Sequence, residues 1–388
     1  MRYRDSIFAS LLKPISRRDF KAIVERHDGD AYDKGFKSWD HLVALIFAQL
    51  GPAHSLRGLA AIWNAHAHHH YHLGSGAIAR STLADANRRR PVAVFAETFE
   101  MVSALASRHL RREGQAMLRL IDATPIPLGT LCGWAHWNGR TRGLKMHVVF
   151  DPRADHPRRI VITSATVNDV EIGRDEPVET GATYVFDKAY CDYGWWSRLH
   201  RSGAIFVTRL KKNARFNRLK ERPLNTMEVQ GNGFEILDDA EVQLGTQGKT
   251  KLAFPLRRIR IKRENGTVLE IISNDLKRSA VEIGALYKER WQIELLFRWI
   301  KQHLKMTSFL GRSENAIRLQ ILAAMIAFLL LRIAAKRSKS NLPALRFLEL
   351  AGQCLFTRKP INELDKPPEL NPRKPKSKSP AQLRFDYA

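Results

Sequence analysis

The stretch at residues 286–305, LYKERWQIELLFRWIKQHLK, constrains the chain most, because its pattern fits one amphipathic helix. One arc is apolar and would dock on a core: Leu286, Ile293, Leu296, Phe297, Ile300 and Leu304. The adjoining arc carries one acid among four cations and two aromatic side chains: Tyr287, Arg290, Trp291, Glu294, Arg298, Lys301 and Lys305. A solvated face usually mixes its signs at i,i+4 spacing, whereas this one suits a divalent metal beside a nucleic-acid backbone. Periodicity alone favours the solvated face and leaves the metal site open.

The charge of the chain indicates a polyanionic partner. The 388 residues carry a formal charge of +25, for which nucleic acid is the first explanation and an anionic membrane surface the second. The N-terminus lacks the apolar run of a signal peptide, and the longest apolar run, Ile321 to Leu331, is shorter than the roughly 18 residues that suggest a membrane span. Three widely spaced cysteines fit no disulfide framework. We therefore expect a cytoplasmic protein that is not bound to a membrane.

Residues 1–112 have helical periodicity throughout. Within them, a helix capped by Ser55, a glycine turn and a helix that begins at Ser81 or Thr82 and ends at three arginines resemble a helix-turn-helix DNA reader. The arginines that would contact DNA are Arg88, Arg89 and Arg90. A small helical domain with a solvated basic end is the alternative. Five histidines between His66 and His72 match no tetrahedral metal spacing, so their role stays open.

From Met117 the period becomes that of strands. Strands are predicted at residues 118–123, 145–150, 159–165, 183–186 and 204–210, with helices at 171–180 and 193–202. This order predicts an α/β fold with a mixed sheet and helices on its faces. Residues 211–276 look like a β-rich insertion with an Asn265-Gly266 hairpin, whose basic residues would lie along a DNA path: Lys211, Lys212, Arg215, Arg257, Arg258 and Arg260. Residues 317–335 form a helix that should be buried against the sheet, and 366–380 form a basic, disordered tail.

Three acids stand where a two-metal site would need them. Asp122 lies in an apolar strand, Asp187 follows a strand, and Glu294 is on the helix described above. Carboxylates on rigid elements can hold two divalent ions that clamp the attacking and leaving oxygens of a phosphodiester. For Asp122 a strand-end cap or a salt bridge explains the residue equally well. The competing acids are Asp151, Asp192, Asp275 and Glu289, and Asp192 is the first replacement for Asp187.

The pattern Y-x2-R-x3-E-x6-K, formed by Tyr287, Arg290, Glu294 and Lys301, resembles the signature of bacterial insertion-sequence DDE transposases of the IS-four family. The segment Asp187-x-Ala189-Tyr190 resembles the surroundings of that family's second acid, and SLRGLAAIW and ARSTLADANRRRP resemble its N-terminal region. The resemblance covers roughly residues 1–345. It implies a ribonuclease-H-like catalytic domain at 113–345 with the β-rich insertion at 211–276 before the last catalytic helix, an all-helical DNA-binding domain at 1–112 and a C-terminal region at 346–388.

The same resemblance implies roles for single residues. Asp122, Asp187 and Glu294 would be catalytic and hold two Mg²⁺ ions, with Mn²⁺ as the alternative. Tyr287, Arg290 and Lys301 would contact phosphates of the transposon end, and Trp291 would support distorted or flipped DNA, although it could equally pack against the insertion. Arg298 and Lys305 belong to the same polar stripe and complete the predicted DNA-binding set with the three arginines at 88–90.

We therefore expect a transposase that binds terminal inverted repeats, cuts each end to leave a 3′-OH and joins that hydroxyl to target DNA. Double-stranded DNA would be its partner, a homodimer would form the synaptic complex, and the protein would work at the bacterial nucleoid. A ribonuclease-H-like nuclease or resolvase without strand transfer is the enzymatic alternative. A non-catalytic, transposase-derived DNA-binding protein is the other alternative.

Overall fold

A ten-stranded mixed sheet organises the computed structural model, which describes residues 5–110, 114–139, 141–211, 213–224, 230–231, 233–245, 252–306, 308–339, 342–364 and 366. The predicted domain boundary at 112/113 and nearly all of the predicted basic tail lie outside the described residues, as does Lys212. The strands are β1 (Leu118–Pro127), β2 (Gly143–Asp151), β3 (His156–Ser164), β4 (Thr183–Phe186), β5 (Ile205–Arg209), β6 (Phe216–Glu221), β7 (Gln230–Gly231), β8 (Phe234–Leu244), β9 (Leu256–Arg263) and β10 (Val268–Ser273).

Helices flank the sheet on both faces. The N-terminal helices are α1 (Ile7–Leu12), α2 (Arg17–Arg26), α3 (Ser38–Leu50), α4 (Leu56–Ala65), α5 (His70–Leu73), α6 (Arg80–Arg89) and α7 (Val92–Leu110). The later ones are α8 (Asp169–Arg174), α9 (Tyr193–Arg201), α10 (Ala280–Glu289), α11 (Trp291–His303), α12 (Glu314–Arg337) and α13 (Ala344–Gln353). Ser55 caps α4 as predicted, but α6 begins at Arg80 after Ala79, so the predicted caps Ser81 and Thr82 lie inside the helix.

The strand order is β3-β2-β1-β4-β5-β10-β9-β8-β6, with β7 paired to β8. β4 runs parallel to both β1 and β5, and the other pairings are antiparallel. The predicted β-rich segment therefore extends the sheet through β10, because β10 pairs with β5. Gly266 has a φ of 77° in the predicted Asn-Gly turn between β9 and β10, a backbone conformation that glycine adopts without strain.

Alternate residues of the strands pack against different helices. Leu118, Leu120 and Val148 belong to a core that includes α7, α11 and α12, whereas Ile121 and Val149 belong to a second core with α9. Helix α12 is buried as predicted, although its main neighbours are α7 and α3 and its contact with the sheet is made at β3. Its 24 residues would suffice to cross a membrane by length and hydropathy, and 89% of its most apolar window is buried inside the protein, as in a core helix.

Candidate active site

Parallel pairing of β1 with β4 brings the first two predicted acids to one edge of the sheet. Ile121 of β1 pairs with Phe186 of β4, so the residues that follow them, Asp122 and Asp187, are neighbours across the two strands. Their side chains are 21% and 30% exposed, so both carboxylates reach solvent from a mostly buried setting. β4 ends at Phe186, and Asp187 opens the 3₁₀ turn Lys188–Tyr190.

The third acid, Glu294, lies just after an interruption in a helix that the sequence predicts to be continuous. The predicted single helix at 286–305 is wrong, because α10 begins at Ala280 and ends at Glu289, and α11 begins at Trp291. Two i→i+3 hydrogen bonds tighten the chain at the junction, from the Arg290 N–H to Tyr287 and from the Ile293 N–H to Arg290. Arg290 therefore stands at the junction, and Glu294 lies in the first turn of α11.

The Arg290 guanidinium links acids from two elements. Its Nη1 donates to Asp122 Oδ2 at 3.2 Å, and its Nη2 donates to Glu294 Oε1 at 2.6 Å. The Tyr287 hydroxyl, on the last turn of α10, donates to Asp187 Oδ1 at 3.4 Å. Arg209, at the end of β5, places Nη1 3.7 Å from the same Asp187 oxygen. Arg290 thus joins Asp122 to Glu294, whereas Asp187 contacts Tyr287 and Arg209; the Arg290 guanidinium lies 5.9 Å from the centre of the Tyr287 ring.

Burial raises the pKa of two groups at this site. It raises the pKa of Asp122 to about 6, although the Ala123 N–H and Arg290 act in the opposite direction. Burial likewise raises the pKa of Tyr190 well above its usual value, with further contributions from Asp169, Asp122 and Asp187. The Tyr190 hydroxyl is buried and has no hydrogen-bond partner within the described part of the chain. Asp122 therefore exchanges its proton near neutral pH.

The chemistry of these donors fits a hard divalent cation, because the carboxylate oxygens of Asp122 and Glu294 already face a positive charge. In this conformation that charge is the guanidinium. Among the described residues, no three His, Cys, Asp or Glu side chains lie close enough together to hold a metal ion. Asp122 and Glu294 would be the residues to hold such an ion, and Arg290 would have to release them first.

The competing acids are engaged elsewhere in the fold. Asp192 accepts the Trp195 N–H at the start of α9 and pairs with Arg174 at 2.5 Å. Asp151 pairs with the fully buried Arg119, and Asp275 pairs with Arg278. Glu289 lies 3.3 Å from Arg153. Each of these carboxylates satisfies a local structural need.

The apolar arc docks as predicted, and the polar stripe divides into exposed and buried parts. Ile293, Leu296, Phe297, Ile300 and Leu304 are buried. Trp291 is 50% exposed, and the Arg298 guanidinium lies 5.8 Å from the centre of its ring. Lys301 is half-buried. Tyr287 is buried and bonded to Asp187, so its contact with a DNA phosphate stays a prediction that this conformation does not favour.

Two predicted DNA-binding residues serve the fold instead. Arg90 is buried, pairs with Asp30 at 2.6 Å and Asp33 at 2.8 Å, and also donates to backbone carbonyl groups. Lys305 donates to the carbonyl oxygens of Ala48, Gly51 and Ala53 at 2.5–2.7 Å, and burial lowers its pKa to about 8. The structure corrects both expectations, because each charged group is bonded to partners inside the protein.

Arg88 and Arg89 remain at the surface. Arg88 pairs with Asp85 one turn away at 3.0 Å, and Arg89 lies 3.8 Å from Asp33; their side chains are 68% and 64% exposed. Surface pairs of this kind are worth about 0–1 kcal/mol, so both guanidinium groups can exchange these partners for phosphates.

The histidine cluster packs largely against aromatic rings. His70 is buried, stacks on Trp63 with 4.5 Å between ring centres and shares a hydrogen bond with the Trp63 carbonyl. His66 and His69 stack on Phe356, and burial lowers the pKa of both.

Part of the predicted DNA path is also internal. Arg257 is bonded to Asp239, and Arg258 pairs with Asp238 and Glu270. These two arginines hold β8, β9 and β10 together, so the sequence expectation for them is wrong.

Sequence reasoning missed Arg209. It is the last residue of β5, and β5 runs parallel to β4. Parallel neighbours end at the same edge of a sheet, so the order of strands would have placed Arg209 beside Asp187.

Comparisons with known proteins agree on one family. Residues 113–330 match the family model described as the transposase DDE domain, and residues 3–75 match a domain of unknown function, DUF4372. A Sinorhizobium fredii protein named as a transposase, y4zB, is 56% identical over 307 residues, which are 79% of this chain and 85% of that protein. A Geobacillus stearothermophilus protein named as a transposase for insertion sequence element IS5377 is 29% identical over 67% of this chain and 68% of its own. The structure of a piggyBac transposase synaptic complex with hairpin DNA aligns with a TM-score of 0.48 at 10% identity, covering 95% of this chain and 83% of that one.

Proposed function

The chain belongs to the transposase DDE domain family, and we propose that Asp122, Asp187 and Glu294 are the acids with which it cleaves and joins DNA strands. It is an insertion-sequence DNA transposase, an enzyme that catalyses DNA cleavage and strand transfer. The observation that carries the assignment of the acids is the Arg290 guanidinium, which contacts carboxylates of β1 and α11 at once. A cation shared by two neighbouring carboxylates favours the charged form of both.

Within this family we assign the chain to the IS-four group on Tyr287, Arg290, Glu294 and Lys301. We also assign β3-β2-β1-β4-β5 and its helices to a ribonuclease-H-like fold, with residues 211–276 as the insertion that widens the sheet. We keep 1–112, 113–345 and 346–388 as the functional divisions of the chain. Arg88 and Arg89 support a DNA-binding role for the first, because both guanidinium groups are exposed.

The family depends on a divalent metal, and we propose two Mg²⁺ ions held by Asp122, Asp187 and Glu294, with Mn²⁺ as the alternative. When bound, such ions supply a nucleophile at neutral pH and stabilise charge on the attacking and leaving oxygens. The side chains of this protein prepare for that exchange, because Arg290 keeps Asp122 and Glu294 facing a common point. Tyr287 orients Asp187 by its hydrogen bond.

The remaining groups position DNA. Arg290, once released from the carboxylates, and Arg298 and Lys301 on the same helix side are proposed to bind phosphates of the transposon end. The exposed Trp291 ring supports stacking on a distorted or flipped base, which is worth about 1–3 kcal/mol per base. Double-stranded DNA is the partner, a homodimer is proposed for the paired ends, and the site of action is the cytoplasm at the nucleoid.

A strand-transfer assay tests the proposal. The substrate is a pre-cut 3′-OH duplex from the inverted repeat that flanks the gene, with a supercoiled plasmid as target and Mg²⁺ present. We expect Asp122→Asn, Asp187→Asn and Glu294→Gln each to abolish joining. The loss of rate should exceed the about 10–100-fold that removing a hydrogen-bond partner of a metal ligand costs. Asp192→Asn is the matched control, since its carboxylate caps α9 and pairs with Arg174, and it should retain joining.

Each other result has a clear meaning. Joining by Asp122→Asn at the wild-type rate would refute the assignment of the acids. Cleavage of an uncut inverted-repeat duplex by the wild-type protein, without joining of the pre-cut one, would favour the nuclease alternative. Neither reaction, with intact binding, would favour a non-catalytic DNA-binding protein.

A further inference from the structure

The loop between β1 and β2, residues 128–142, projects beyond the acid edge of the sheet. β1 continues for five residues past Asp122, to Pro127, and stays paired with β2 as far as Gly143. β4 ends beside Ile121, so from Asp122 onwards β1 has no pairing with β4. β1 and β2, with β3 still paired to β2 as far as Leu144, therefore extend beyond the acid site and carry the loop at their end.

Side-chain hydrogen bonds anchor the loop to two neighbouring segments. The Trp134 indole N–H donates to the Arg312 carbonyl at 2.7 Å, and Asn138 Nδ2 donates to the Ala165 carbonyl at 3.1 Å. Within the loop, the Gly143 N–H donates to the His136 carbonyl and the Thr141 N–H donates to Asn138 Oδ1. Cys132 and Ala135 are buried in the main core. The loop is thus a built element, anchored to β3 and to the segment before α12.

This anchored loop presents apolar side chains to solvent. Trp137 is 59% exposed and Leu131 is 69% exposed. Leu128, Cys132 and Ala135 of the loop are buried and Trp134 is half-buried, so the backbone that carries the two exposed side chains is anchored. A large aromatic side chain held in water by a fixed loop gains free energy when a flat apolar partner covers it.

The charge around Trp137 indicates which kind of partner covers its ring. Residues 123–150 contain no aspartate or glutamate and include Arg142, whereas Lys145 is paired with Asp169 at 2.9 Å. Arg312, whose carbonyl group anchors Trp134, is exposed. An aromatic ring within a segment free of acids, in a chain of charge +25, suits a nucleic-acid strand, because bases stack on the ring while cations meet the phosphates.

We propose that Trp137 is a second base-contacting platform, which grips transposon-end DNA inward of the cleaved bond. This inference rests on the proposed function, because the acid site fixes where the cleaved bond lies. Strands rise about 3.3 Å per residue, so Pro127 lies about 17 Å from Asp122 along β1. A duplex that follows β1 rises about 3.4 Å per base pair. Trp137 therefore meets the DNA about five to seven base pairs from the cut.

The test measures binding, without cleavage, in EDTA. The probe is the pre-cut inverted-repeat duplex with a single 2-aminopurine placed in turn at positions one to ten from the 3′-OH. The wild-type protein should change the fluorescence near positions five to seven, and Trp137→Ala should remove that change and weaken binding about 5- to 100-fold. Trp137→Phe should restore most of both. Leu345→Ala is the control, since Leu345 is an exposed apolar residue on α13, outside the loop and the predicted DNA-binding residues, and the variant should bind DNA as the wild type does.

The salt dependence of DNA binding distinguishes the contribution of the Trp137 ring from that of a charged side chain. Trp137→Ala should lower affinity by the same factor at every salt concentration, whereas Arg142→Gln should reduce the slope of log affinity against log salt by about one. Wild-type affinity and an unchanged fluorescence pattern in a folded Trp137→Ala protein would overturn the proposal. A DNA-free change of oligomeric state in Trp137→Ala, seen by sedimentation, would assign the surface to a second copy of the chain instead. Because no metal is present, failure of the catalytic assignment would leave these readings unchanged.

Discussion

At the scale of single residues, the partners of each carboxylate decide which acids are available for chemistry. Asp151 and Asp192 neutralise Arg119 and Arg174 and accept backbone N–H groups, so their removal costs structure. Asp122 and Glu294 share one guanidinium, and Asp187 holds a tyrosine hydroxyl and a distant arginine. A charge this poorly compensated destabilises a protein and is kept where it has a function.

The pKa of Asp122 gives a prediction that needs no substrate. It is about 6 in the folded chain, above the value of 3.8 for a solvated aspartate. The folded state therefore holds the proton more tightly, and the free energy of unfolding falls as pH rises from about 4 to 6. Asp122→Asn removes this loss. Its melting temperature should exceed that of the wild type by an amount that grows over this range and is constant above it, as measured by scanning fluorimetry.

Asp192→Asn is a control for which we expect the opposite pH dependence of stability. Burial alone would raise the pKa of Asp192, but hydrogen bonds from Arg174 and the Trp195 N–H lower it overall. Its carboxylate therefore stabilises the fold above about pH 4, and this contribution disappears as pH falls further. Asp192→Asn should melt lower than the wild type at neutral pH, with a deficit that shrinks in acid. If Asp122→Asn showed that same trend, the raised pKa would be wrong.

The sequence predicts the three acids and Trp291 because each falls in a short motif whose spacing carries chemistry, and the structure places Trp291 at the surface. Arg209, Arg90 and Lys305 could not be assigned in that way. Arg209 depends on which strands are parallel, and the other two depend on carboxylates and carbonyl groups tens or hundreds of residues away. A basic side chain has the same sequence appearance whether it faces solvent or neutralises the interior.

At the scale of elements, strands were easier to predict than the catalytic helix. The predicted strand at 183–186 matches β4, and the one at 204–210 differs from β5 by one residue at each end. The break at Arg290 is invisible to periodicity, since the apolar residues on both sides keep the helical spacing. Arg290 lies at this junction and contacts both Asp122 and Glu294.

Lys305 binds the carbonyl groups at the C-terminal end of α3. Lys305 follows α11 and donates to the carbonyl oxygens of Ala48, Gly51 and Ala53, which end α3 or follow it. Lys305→Met keeps the length of the side chain and leaves these acceptors without the ammonium. Hydrogen bonds to charged groups contribute about 1.5–3 kcal/mol, so the melting temperature should fall by several degrees.

Lys301→Met is the matched variant, one turn earlier. Lys301 is half-buried on α11, and its proposed partner is a DNA phosphate. It should melt near the wild-type temperature but bind the inverted-repeat duplex more weakly, with the salt slope reduced by about one. Lys305→Met should give the reverse, lower stability with an unchanged slope. A reduced slope in Lys305→Met would return this residue to the DNA-binding set.

At the scale of the whole molecule, one core joins the N-terminal helices to the catalytic part. Helix α12 has seventeen buried residues among its 24, and it packs on α3 and α7. Asn315, near its start, donates to the carbonyl groups of Asn87 and Arg90, and Arg337, near its end, bonds His109. The predicted helical segment at 1–112 therefore has a structural role besides any contact with DNA.

Deleting residues 1–112 should accordingly abolish solubility. The fragment 113–388 would expose the apolar surface of α12, and each Leu, Ile or Phe side chain that loses its cover costs about 1.5–3 kcal/mol. We expect inclusion bodies, or soluble aggregates that bind 1-anilinonaphthalene-8-sulfonate. Co-expression of 1–112 as a separate chain should restore a soluble complex on gel filtration, because the lost contacts are noncovalent. A monodisperse fragment 113–388 with a cooperative melting transition would contradict this, since it would mean that α12 is covered by other parts of the catalytic region.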